Sequence, residues 1–243
     1  MKKALVTGAS RGIGYAIAKK LSQNEYKIVI TGRNIKTLER VADNLGKNVL
    51  PMVWDASEFD KAEEKINEAA DKLDGLDTVV NNAGIFAQRN EWNKKGLLST
   101  TSKEWQDVIN VNASAVFFTM QASVKHMLKN NIKGNILNIT SIAGKEPVYG
   151  AYGGSKILAT GLTRGWGKMF ASDGITINGI APGPVATEMN NWHEGDSMKH
   201  DRIPYGRFVT IDEIAELAMY LLDEKAKMIC GETVIIDGAY SIR

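Results

Sequence analysis

The sequence predicts an α/β fold, a doubly wound parallel sheet of about seven strands flanked by helices, within one domain covering residues 1–243. Three observations carry this expectation. The length suits one well-buried α/β unit, since open sheets of this size commonly form single domains. Short apolar runs alternate with helix-period segments from end to end, the pattern of βαβ units around a parallel sheet. A glycine-rich turn at residues 8–14 joins the first apolar run to the first helical segment.

Residues 3–6 form the first strand, residues 13–23 a helix, and residues 26–30 return as a second buried strand. Asn34 is placed to cap the next helix. Residues 49–53 supply the third strand. The helix after it carries Phe59, Ala62, Ile66, Ala69 and Leu73 at spacings of three and four, an amphipathic stripe. Strands at 76–80, 135–139, 175–180 and 234–236 repeat the logic in the second half, separated by helical stretches. The helix beginning near Ala151 sets Leu158, Leu162, Trp166 and Phe170 on one stripe, with Gly161 and Gly165 beside it. Glycine costs about 1 kcal/mol against alanine inside a helix, so this pair predicts a close approach by another helix, from this chain or from a second subunit.

A net charge of +2 leaves no basic field of the kind that nucleic-acid binding requires. One cysteine, Cys230, excludes an internal disulfide and fits a reducing, cytoplasmic setting. The apolar run after Lys3 stops at Thr7 and Gly8, short of a signal-peptide core. Nowhere do about 18 apolar residues run together, so no membrane span is expected. No Cys/His/Asp cluster has ligand spacing, and no metal is expected either.

Gly8, Ser10, Arg11, Gly12, Ile13 and Gly14 lie where a strand ends and a helix starts. A pyrophosphate needs backbone N–H groups within reach and a helix N-terminus aimed at it, and the three glycines remove obstructing side chains. Strand before and helix after favour dinucleotide binding over an ordinary turn. At the end of the second strand an acidic residue would accept bonds from the adenosine ribose and repel a 2′-phosphate. The stretch from Ile30 to Asn34 has none, while Arg33, with Arg11 opposite, can pair with a phosphate. NADP(H) is therefore the expected cofactor. Asp55 follows the third strand and is placed to meet the adenine amino group, and Asn82, Ala83 and Gly84 follow the fourth, at the strand ends where open sheets bind ligands.

Tyr152 and Lys156 are four apart on a helix and share one face. A tyrosine hydroxyl has a reference pKa of about 10, and a neighbouring ammonium favours the phenolate, so the pair suits proton transfer near neutral pH. Alone, the spacing is equally what a helix with one core and one surface residue shows. Ser141, after the fifth strand, faces the same rim and can bond a carbonyl oxygen. Asn112 can hold a water behind the lysine, or simply satisfy buried backbone groups.

On these residues the chain resembles the short-chain dehydrogenase/reductases, and most generally their 3-oxoacyl-[acyl-carrier-protein] reductase-like members. The motifs Thr7-Gly8-x-x-x-Gly12-x-Gly14, Asn82-Ala83-Gly84, Asn112, Ser141, Tyr152-x-x-x-Lys156 and Pro182-Gly183-x-x-x-Thr187 occur in the family's order. The resemblance implies a Rossmann fold and hydride transfer between NADPH and a carbonyl or secondary alcohol. It implies Tyr152 as general acid or base, Lys156 lowering its pKa and holding the nicotinamide ribose, Ser141 orienting the carbonyl and Asn112 supporting the relay. Pro182, Gly183, Val185 and Thr187 would hold the nicotinamide, with Val185 offering its carboxamide a backbone partner.

The implied partner is a small carbonyl or alcohol substrate, free or carried by an acidic carrier protein for which Lys125, Lys129 and Lys133 offer a basic rim. A homodimer or homotetramer is implied as well. The alternatives are an NAD-linked dehydrogenase of a sugar or polyol and a non-catalytic NADP sensor, the latter disfavoured by the intact Ser141, Tyr152 and Lys156. The link from Ser141 to Tyr152 is short for the family and contains Tyr149, and residues 85–105, with Trp92, Lys94 and Lys95, are long. Residues 189–207, with Trp192, His193 and His200, fall at the family's substrate lid, and both histidines are expected to be exposed and without a role.

Overall fold

A computed structural model describes residues 1–86 and 93–242. Trp92, from the long segment singled out above, lies outside the described residues. Seven strands form one parallel sheet in the order β3-β2-β1-β4-β5-β6-β7. They are β1 (Lys3–Val6), β2 (Lys27–Gly32), β3 (Val49–Val53), β4 (Thr78–Asn81), β5 (Asn135–Ile139), β6 (Thr176–Pro182) and β7 (Thr233–Ile236). The order reverses direction at β1 and β4, so a crevice opens where their carboxyl ends diverge. This is the doubly wound architecture that the alternation predicts.

The strands read as nearly unbroken apolar runs because both faces of the sheet are covered. Side chains alternate between the two cores with the strand period of two. Ala4, Val6, Ile28 and Ile30 join one core, filled by Ile17 and Leu21 of α1 (Gly12–Gln23), Leu38 and Val41 of α2 (Ile35–Leu45), and Ile214 and Leu221 of α8 (Ile211–Leu221). Leu5 and Val29 point the other way. Their core holds Ile66 and Leu73 of α3 (Ala62–Leu73) and Met120 and Met127 of α6 (Ala115–Lys129). Helices α1 and α8, from opposite ends of the chain, lie against each other, and Lys20 pairs with Glu216 across them.

Two short helices, α4 (Lys94–Leu98) and α5 (Ser102–Ile109), occupy part of the long segment. α5 and α8 each start with a capping box, Thr101 with Glu104 and Thr210 with Glu213. The last long helix, α7 (Ala151–Phe170), corrects one expectation. Its buried face consists of small or polar residues, including Ser155, Ala159, Thr163 and Gly167, while Leu158 is exposed. A Cβ at Gly161 or Gly165 would meet nothing within 4 Å. These two glycines look away from the sheet, so among the described residues no helix of this chain approaches them. The close approach is at Gly167 instead, where a Cβ would lie 2.5 Å from Gly231 N. Among the described residues, no helix is long and apolar enough to cross a membrane.

Candidate active site

Beyond Val6 the chain turns through Gly8 in the left-handed region, φ 64°. A Cβ at Gly8 would sit 2.8 Å from Ala83 Cα, and one at Gly14 would sit 2.6 Å from Gly8 O. The loops after β1 and β4 are stitched together at this point. Thr7 Oγ1 accepts the N–H groups of Asn82 (3.0 Å) and Ala83 (3.1 Å), and Asn82 Nδ2 donates to Thr7 O (2.9 Å) and Gly8 O (3.0 Å). The Asn82 amide is therefore structural here, and Gly14 is small so that it can fit.

At the start of α1 the N-cap Arg11 makes no side-chain cap and the first turn holds no acidic residue. A Cβ on Gly12 would find only Thr187 Cγ2, at 3.9 Å. Uncapped donors beside open space form a cradle that an anionic group fits, as a helix N-terminus favours. Arg33 is exposed beside this crevice, with no ion-pair partner among the described residues. Arg11 lines the same cavity as Arg33, and its guanidinium is engaged by Glu188. Asp55 uses Oδ1 to accept from Ser57 N (2.9 Å) and Ser57 Oγ (2.8 Å).

Ser141 closes β5 as the cap of a short turn, its Oγ accepting from Ala143 N at 3.2 Å. Tyr152 lies in the first turn of α7, its ring 4.6 Å from that of Phe86. One turn on, Lys156 is buried, donates to Ile139 O at 3.1 Å, and holds Nζ 5.7 Å from the Tyr152 ring centre. Burial pushes its ammonium down to about 8. Asn112 is fully buried in a five-residue π-helical stretch, Asn110–Ser114, between α5 and α6. Its Oδ1 accepts from Ile85 N and its Nδ2 donates to Ile85 O, both at 2.8 Å, and Nδ2 also reaches Ser155 Oγ at 3.3 Å. The side chain thus satisfies both backbone groups of Ile85 and a serine hydroxyl. Ser155 in turn donates to Tyr152 O at 2.7 Å, which ties the π-helical stretch to the tyrosine's own turn.

Gly183 packs tightly on β7, where a Cβ would lie 2.6 Å from Asp237 Cβ, and its N–H donates to Ile236 O. Val185 bridges to Val209, and its carbonyl accepts from Asn190 Nδ2 at 2.9 Å. One cavity of about 1210 Å³ collects almost all of the expected residues. Gly8, Ser10, Arg11, Gly12, Ile13, Arg33, Asp55, Asn82, Ala83, Gly84, Ser141, Tyr152, Lys156, Pro182, Gly183, Val185 and Thr187 line it. Gly14 and Asn112 stand behind its wall.

Four contributions were not expected from the sequence, although Thr7 stands in the glycine motif itself. Thr7 joins two loops, Ser155 links Asn112 to α7, Phe86 packs its ring tilted against that of Tyr152, and Glu188 pairs with Arg11. Only Thr7 had a signal, its place at the end of the first strand. His193 is exposed, as expected, but His200 is not. It is half-buried, edge-on to Phe208 at 4.6 Å and to Tyr240 at 6.4 Å. Lys125, Lys129 and Lys133 line no part of the cavity, and Lys125 pairs with Glu63 at 2.9 Å. They sit near the start of β5, whereas the cavity lies at the strands' carboxyl ends. No group of three or more metal-ligating side chains occurs among the described residues.

Comparison with known proteins agrees with this geometry. A family model described as enoyl-(acyl carrier protein) reductase matches residues 8–241. Glucose 1-dehydrogenase 2 of Bacillus subtilis is 33% identical, over 99% of this chain and 95% of that protein. The structure of a variant of actinorhodin polyketide ketoreductase with NADPH superposes with a TM-score of 0.89 at 26% identity, covering 100% of this chain and 98% of the other. That of 3-ketoacyl-(acyl-carrier-protein) reductase from Brucella melitensis complexed with NADH gives 0.88 at 28% identity, covering 99% and 98%.

Proposed function

Because the chain belongs to the short-chain dehydrogenase/reductases, oxidoreductases acting on CH–OH and C=O groups, we propose that it reduces a ketone with NADPH. The observation that carries this reading is the convergence of Tyr152, Lys156 and Ser141 on the cavity that the glycine loop also lines. A bound nicotinamide supplies the hydride. Ser141 holds the carbonyl oxygen, Tyr152 donates its proton to that oxygen, and the Lys156 ammonium stabilises the resulting phenolate. Asn112 acts at one remove, by fixing Ile85 and Ser155 around the tyrosine.

NADPH rather than NADH follows from Arg33, which stands free at the end of β2 with no carboxylate in its stretch. Residues 189–207 act as the substrate lid. A carrier-protein substrate loses its basic rim with the three lysines at the far edge. The second reading, a sugar or polyol as the substrate, is favoured by Glu146, Glu194, Asn190 and Arg202, which give the cavity several partners for hydroxyl groups.

Fluorescence titration with NADPH and NADH, followed by an NADPH-oxidation screen over acyl thioesters, sugars and cyclic ketones, tests both parts. Tighter NADPH binding that Arg33→Ala removes is the expected result. Equal affinity for the two cofactors overturns the NADPH assignment, and turnover confined to acyl thioesters overturns the sugar reading.

A further inference from the structure

Arg11 and Glu188 meet across the mouth of the cleft, from segments 177 positions apart. Arg11 is the residue from which α1 starts, and Glu188 begins the short turn Glu188–Asn190 that opens the proposed lid. Thr187, its neighbour, is the side chain that faces Gly12. The Glu188 carboxylate therefore pairs with the side chain of the residue from which α1 starts, a helix without an acid in its first turn. That is the chemistry of a phosphate oxygen: an anion beside uncapped N–H groups and a guanidinium.

We propose that Glu188 is an exchangeable internal anion, which holds Arg11 in the cofactor-free chain and is displaced when a dinucleotide phosphate takes its place. The proposal rests on the dinucleotide reading above. Its consequence is a trade-off: Glu188 lowers cofactor affinity and speeds cofactor release. The pair is suited to exchange because both side chains are largely exposed, 74% for Arg11 and 57% for Glu188, and an exposed pair is weak. The 2′-phosphate of NADPH is a monoester that carries more charge than a carboxylate and accepts a bidentate guanidinium as well as one does, so it wins Arg11 when it arrives. Release of Glu188 would free the lid's first turn at the moment the cofactor seats.

The test is equilibrium and stopped-flow binding of NADPH, without substrate, to four forms of the full chain: unsubstituted, Glu188→Gln, Arg11→Ala and the double variant. Glu188→Gln is expected to tighten NADPH about 2–5-fold, mainly through slower dissociation. Arg11→Ala is expected to weaken it, and Glu188→Gln is expected to have no further effect in that background. Unchanged or weaker binding by Glu188→Gln overturns the proposal. So does an equal gain in both backgrounds, which would reduce Glu188 to a general repulsive charge. Failure of the unsubstituted chain to bind either NADPH or NADH removes the dinucleotide reading itself, and this proposal with it.

Discussion

At Lys156 the fold keeps an ammonium 6% exposed, donating a hydrogen bond to Ile139 O. Desolvation is what pushes its pKa down to about 8, and at neutral pH the group still carries its charge for the tyrosine. The sign of the stability effect follows. The unfolded lysine releases its proton near 10.5 and the folded one near 8, so the folded state is penalised below about 8 and relieved as pH rises toward 10.5. Lys156→Met should abolish turnover yet raise the melting temperature at pH 7, with the gain shrinking between pH 8 and 10.5. A variant less stable than the parent at pH 7 would contradict this. Tyr152→Phe keeps the ring against Phe86 and removes only the hydroxyl. Turnover should fall about 10²–10⁴-fold, with cofactor binding by fluorescence little changed. The spacing of these two residues was visible in the sequence, and so was Ser141. The posture of Asn112 was not, since its hydrogen bonds go to Ile85 and Ser155, remote in the chain.

Among the elements, α8 shows how much of a boundary is local. Thr210 and Glu213 form its capping box, and Glu213 also accepts both Arg207 nitrogens, at 3.0 and 2.6 Å. The Arg207 hydrogen bond, with help from Thr210, holds the Glu213 carboxyl down to about 2. A depressed carboxyl stabilises above its unfolded pKa and loses that contribution as pH falls through the folded one. Acid unfolding between pH 4.5 and 2 should therefore be shallower for Glu213→Gln than for the parent. The difference stays below about 1 kcal/mol, because both side chains are more than a third exposed. Identical acid profiles would remove Glu213 from the account. Both capping boxes can be read from three-residue spacings. The π-helical stretch cannot, since nothing in Asn110–Ser114 distinguishes it from ordinary helix, and its extra residue is held in place by contacts with α5, α6 and α7.

For the molecule as a whole, the sheet was legible because each strand is apolar on both faces, and the strand order was legible only in part. That β1 lies between β2 and β4 depends on packing between distant segments, and the sequence carries no local mark of it. The outer face of α7 keeps Gly161 and Gly165 open beside exposed Ile157, Leu158 and Met169. An apolar face of this kind is the mark of an association surface. Equilibrium sedimentation is expected to give a dimer or tetramer, and Gly165→Arg to shift it toward monomer. A monomeric parent at micromolar concentration would overturn the association expected at this face.

The contact of α1 with α8 also has a meaning in time. During synthesis the glycine loop leaves the ribosome well before the helix that α1 leans on. Until Ile214 and Leu221 arrive, the apolar side of α1 has no cover on that flank. A nascent or prematurely terminated product therefore carries its glycine loop on a helix whose apolar flank stands open to water.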